Sequence, residues 1–294
     1  MHTKRYSMHK YFLFLLSILL ITACTPSASI EDKRERLAKT HNIVIGTGDP
    51  TTFFVPPYTR SEAKLSDGEI FPAAQSTLDE SLRGVEDALK AYPTGFVSSQ
   101  IDAIFIAGNM LFDGMRAGGT YRYNWIIIAS DSKAIGEYNY LASLYGVHHE
   151  LSSFIYRKSF VISRFWGDLM PKNWKAKITD KEALADNYEP IDYENGFLNN
   201  YATTSVENDF NTYAEFVFAR TDELIELAKQ YPLVAKKLRL FIIAYSQESP
   251  DMKKLFSGSA LEQVAAPNEF KTITDVIHVD MSKMKPTIIY PKEQ

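Results

Sequence analysis

Val147-His148-His149-Glu150-Leu151-Ser152-Ser153 is the stretch on which the reading of this chain turns. In the helical pattern H-E-x-x-H, two histidines one turn apart face the same way and grip a zinc ion, and the glutamate beside the first polarises a bound water. His149-Glu150 matches the first half of that pattern, and Ser153 stands where the second histidine belongs. The segment closes a helical periodicity running from Lys133 to about Tyr156, with Gly146 as a candidate break just before it.

Working outward, Ile101 to Leu111 and Tyr123 to Ala129 read as strands, because Ile104-Phe105-Ile106 and Trp125-Ile126-Ile127-Ile128 are apolar and rich in β-branched residues. Ahead of them, Leu78, Leu82, Val85, Ala88 and Leu89 recur at helical spacing between Ser76 and Tyr92-Pro93. Gly108, Gly114, Gly118 and Gly119 mark turns, and Gly118-Gly119 suits a hairpin at a sheet edge. They do not form a phosphate loop, since no lysine and serine or threonine follow in order. Beyond Arg164-Phe165-Trp166 the chain to about Glu194 reads as loop or short surface helices. Helices are expected over Val206 to Arg220 and, as two further segments, Thr221 to Ser246. Late strands are expected at Ile273 to Ile277 and Thr287 to Tyr290. The expected class is α+β: a small mixed sheet packed on several helices, with a helix-rich C-terminal half.

A second chemical cluster runs from Gly196-Phe197 through Tyr201-Ala202 to Glu207-Asn208-Asp209-Phe210 and Ala214-Glu215. In that order, the two clusters together resemble the gluzincin-type zinc-binding metallopeptidases, a zincin family that includes many bacterial lipoproteins and, more distantly, the anthrax lethal factor peptidase domain. The resemblance covers about Ile101 to Gln247 and implies a zincin-like fold, zinc as cofactor and a peptide or protein substrate. It makes His149 a zinc ligand, Glu150 the general base and Tyr201 the group that steadies the oxyanion. The third ligand falls between Glu207 and Asp209; with Tyr201 as the fixed point the matching residue is Asn208. Ser153 and Asn208 both depart from the family pattern, since neither is a strong zinc donor.

Adjacent helical residues point about 100° apart, so His148 joins His149 on one ion only at a helix start or a break after Gly146. With such a break, His148, His149 and a carboxylate from Glu207, Asp209 or Glu215 make a three-ligand set with an open position. Each residue also has a structural explanation. Thr204 and Glu207 fit a capping box, Asp209 suits a helix N-terminus, Ser153 suits a hydrogen bond behind the ligands, and Glu215 suits either such a bond or a solvated charge.

At the N-terminus, Lys4, Arg5 and Lys10 precede an apolar run from Tyr11 to Ile21, and Ile21-Thr22-Ala23-Cys24 puts small residues before the only cysteine. The run is too short to span a bilayer. The arrangement resembles a lipobox, which implies cleavage before Cys24 and acylation of its sulfur and amine. Residues 1–23 are then a signal peptide, 24–40 a lipid-anchored tether running into a short helix, and 41–294 the zincin-like domain. Thr25 rather than aspartate after the cysteine resembles Gram-negative lipoproteins sorted to the outer membrane, so a lipid-anchored cell-envelope location is expected. A single cysteine excludes a disulfide framework. A net charge of −4 with no run of basic residues among aromatics excludes the usual nucleic-acid footprint. Two functions remain at this stage: a membrane-anchored zinc peptidase with Glu150 activating water, and an inactive zincin-fold lipoprotein that serves as a binding or scaffold partner.

Overall fold

The computed structural model describes residues 29–50, 53, 68–122, 124–177, 179–185 and 188–266. The signal segment, Cys24 and the strands expected at 273–277 and 287–290 lie outside the described residues.

The first helix, α1 (Ile30–His41), is capped by Ser29, whose hydroxyl accepts from Asp32 N while the Asp32 carboxylate accepts from Ser29 N, both at 3.1 Å. Leu37 is buried in the main core, so the folded body begins at Ile30, within the stretch expected to be tether. After β1 (Val44–Thr47) and β2 (Gly68–Ile70) come α2 (Gln75–Lys90) and α3 (Phe96–Gln100). Then follow β3 (Ala103–Ala107), β4 (Met110–Phe112), β5 (Met115–Ala117), β6 (Gly119–Arg122) and β7 (Trp125–Ala129). The central sheet has the order β1-β3-β7-β6, with β1, β3 and β7 parallel and β6 antiparallel at the edge; β2, β4 and β5 form a small antiparallel sheet. The hairpin turns between Arg122 and Trp125, not at Gly118-Gly119, which instead passes the chain from one sheet to the other.

β3 and β7 are apolar throughout because both faces are covered. Ile104, Ile106, Ile126 and Ile128 face the helical layer, while Phe105 and Ile127 face a second cluster with Phe53 and Met110. Against the first face lie α2 and α4 (Tyr138–Lys158). The expected stripe of α2 is buried, and each of its leucines contributes roughly 2 kcal/mol of burial. The two helices meet at Gly84, where a Cβ would stand 2.3 Å from the Tyr140 carbonyl oxygen. α4 runs unbroken through Gly146, so the break that would have let two adjacent histidines share an ion is not present.

The rest is helical: α5 (Phe160–Asp168), α6 (Asp180–Ala183), 3-10 turns at Tyr193–Asn195 and Tyr201–Thr203, α7 (Val206–Ala219), α8 (Thr221–Gln230), α9 (Pro232–Glu248), α10 (Pro250–Phe256) and α11 (Ala260–Val264). The architecture is mixed α+β. Among the described residues no helix is long and apolar enough to cross a membrane.

Candidate functional site

Between β6, the middle of α4, the Tyr201 turn and the first half of α7 lies a cleft of about 630 Å³. α4 lends it His149, Glu150, Ser153 and Arg157, spacings of three and four that share one helix face. α7 lends Glu207, Asn208, Asn211 and Glu215 by the same rule. The turn before α7 supplies Tyr201, whose ring lies 5.6 Å from that of His149.

His149 is the hub. Its Nδ1 is 2.7 Å from Glu215 Oε1. Burial pulls its pKa down, but the bond to Glu215, the charges of Glu215 and Glu150 and a weaker hydrogen bond that the ring donates to the Asn208 side chain outweigh that and raise it. Glu150 is pushed up to about 7, chiefly by burial, with the Glu207 and Glu215 charges adding to the shift and His149 opposing it. Its carboxylate packs on the backbone of Gly119, where a Cβ would come within 2.6 Å of Oε1. Glu207 accepts from the Tyr121 hydroxyl and sits 3.4 Å from Arg157 Nε. Ser153 accepts from Asn211 Nδ2 at 2.7 Å.

Two expected ligands lie elsewhere. His148 points away from the cleft because one residue along a regular helix turns the side chain about 100°. It is fully buried, hydrogen-bonded to Tyr92 at 2.8 Å and stacked on Phe218, and burial lowers its pKa to about 3. Asp209 faces the core side of α7, where it accepts from Lys237 Nζ and Trp166 Nε1, each at 2.7 Å. Lys237 is itself fully buried and also donates to the Asn195 and Gly196 carbonyls. The α7 cap differs too: Ser205, not Thr204, accepts from Asn208 N, at 2.9 Å, and Thr204 turns back to the Tyr201 carbonyl.

The donors present do not suit zinc. At the three places the family pattern would fill with ligands stand His149, Ser153 and Asn208, one imidazole with a hydroxyl and an amide. Of the nearby carboxylates, Glu215 is bound to His149, and Glu207 to Tyr121 and Arg157. Among the described residues no group of three histidine, cysteine, aspartate or glutamate side chains is arranged to hold a metal ion. The chemistry the arrangement offers is a buried imidazole–carboxylate pair, a carboxyl whose pKa is raised to about 7, and an edge strand, β6, with no strand on its outer side among the described residues.

Sequence reasoning missed Tyr121, Arg157 and Asn211, and assigned Gly119 to a turn. Asn208, Asn211 and Glu215, spaced three and four apart, already mark one polar helix face. Tyr121 comes from the edge strand β6, on the face that meets the helical layer, and carries no such local signal. Comparison of the chain with family models, with curated proteins and with solved structures finds no match.

Proposed function

We propose that this chain is a lipid-anchored, zincin-like envelope protein whose cleft binds an extended polypeptide segment without a catalytic metal. The observation that carries the reading is the site's own hydrogen bonding: His149 is tied to Glu215, and Ser153, at the second histidine's place, is tied to Asn211. These side chains hold one another rather than pointing their donor atoms at a common centre. Strand β6 supports the ligand class. It lines the cleft, ends the sheet order and has no strand on its outer side among the described residues. An unpaired edge facing a groove accepts an extended chain through main-chain hydrogen bonds.

The adjacency of His149 and Glu150 in the cleft favours a second reading, zinc-dependent peptide hydrolysis with Glu150 as base. That reading requires Glu207 and Glu215 to leave their present partners and serve as ligands.

Elemental analysis and peptide binding separate the two. The chain begun at residue 25 is expected to stay zinc-free after exposure to the metal and to bind fluorescent random decapeptides without cutting them. Gly119→Val, which drives a side chain into Glu150, is expected to weaken that binding by about tenfold or more, a change of roughly 1.4 kcal/mol. Near-stoichiometric zinc that disappears in His149→Ala, with cleavage of the peptides, would establish the hydrolase instead.

A further inference from the structure

The helical layer has a direction. Lys33 pairs with Asp79 and Arg36 with Glu86, so α1 runs parallel to α2. Tyr140 N donates to Glu80 and the Tyr140 hydroxyl to Asp87, while Tyr92 meets His148, so α4 is parallel to α2 as well. The N-termini of all three helices therefore lie at one end of the molecule. At that end the described chain also begins, at Ser29, five residues after Cys24. Five residues span at most about 18 Å when fully extended.

The same end carries an unusual share of exposed apolar side chains. Ile135 is 88% exposed, Tyr138 55% and Leu141 39%, at successive spacings of three along the entry to α4. Phe71, 43% exposed, precedes α2 and is held there by hydrogen bonds with Gly108 and Asn109 at the end of β3. Isolated exposed leucines need no explanation, but several large apolar groups gathered at one end do.

We propose that this end, with Ile135, Tyr138, Leu141 and Phe71, rests on the lipid surface to which the chain is anchored. The inference relies on the lipid-anchor part of the proposed function. An anchor at Cys24 holds Ser29 within one short tether of the headgroups, and the patch lies on the face so presented. Aliphatic side chains at that depth leave water for the acyl boundary, and a tyrosine suits the headgroup level. Anchor and patch then act as two signals, which fixes the orientation of the molecule where a flexible tether alone would let it tumble.

The test uses the full acylated chain in vesicles of phosphatidylethanolamine and phosphatidylglycerol. Acylation consumes the sulfur of the only native cysteine, so Ile135→Cys or Tyr138→Cys offers one thiol for an environment-sensitive fluorophore. Leu255→Cys is the control. Leu255 is 45% exposed on α10, whose Phe256 packs on Phe218 beside Tyr92, at the opposite end of the helical layer. Blue-shifted emission and quenching by headgroup-level spin-labelled lipid are expected at 135 and 138, and neither at 255. Equal, water-like emission at all three positions on a chain shown by intact mass to be acylated overturns the membrane-facing patch while leaving the anchor intact. A mass without acyl chains overturns the anchor and the orientation with it.

Discussion

Glu150 shows how one side chain reports on its surroundings. With a folded pKa raised to about 7 from the ordinary 4.5, its protonated form is the one the fold prefers. The stability this gives is fully present below about pH 4.5 and is lost as pH rises through about 7. Glu150→Gln is therefore expected to be more stable than the parent at pH 8, by up to about 3 kcal/mol, and indistinguishable from it near pH 4, as urea titrations at the two pH values will read. His148 has the opposite sign. Its folded pKa, lowered to about 3, keeps it neutral in the core, so its stability contribution is present above the unfolded value near 6.5 and lost as pH falls. Replacing it with phenylalanine, which keeps the stack on Phe218, is expected to remove an acid destabilisation of about 4 kcal/mol between pH 6.5 and 3. The sequence announces His149-Glu150 as a reactive pair, and the structure places both in the cleft. It does not reveal that His148 belongs to the core, because the phase of a helix against its neighbours is a tertiary property.

At the level of elements, α7 divides into two faces, and the division decides which carboxylate does what. Glu207 and Glu215 look into the cleft, whereas Asp209 clamps α7 to α9 and to the 195–196 carbonyls through Lys237. Lys237→Met strands a buried carboxylate and is expected to cost about 3–5 kcal/mol in a chemical melt. The double change with Asp209→Asn should recover most of it, because a buried ion pair replaced as a unit loses far less than one broken from one side. The Gly-Phe and Tyr-Ala cluster leads into α7, which lines the cleft, and the acidic spacing within it left three candidates that only the orientation of α7 could separate. The relation of α4 to α7 also yields a gain-of-function test of the zincin-like frame. Ser153 lies one turn from His149, and Asn208 touches the His149 ring. Ser153→His combined with Asn208→Glu is expected to bind about one zinc ion per chain, and the parent none, read by metal analysis after dialysis. Failure of the folded double variant to take up zinc would remove the zincin-like reading of this pair of helices.

For the molecule as a whole, the order of elements was largely legible. The apolar, β-branched segments of β3 and β7 mark the two central strands, and the stripe of α2 marks a helix that covers them. What was not legible is connectivity at short range. β4, β5 and β6 are three or four residues each, too short for alternation to show, and their glycines announce turns without saying which strands they join. Among the described residues no strand lies on the outer side of β6. A free sheet edge is a template on which identical chains can stack, and natural proteins blunt such edges with charge, twist or cover. Here β6 lines a recess together with residues of α4 and α7, and Arg122 and Arg157 are among the lining residues. An edge set in such a recess, beside two arginines, is expected to pair with a second copy less readily than one that stands fully free.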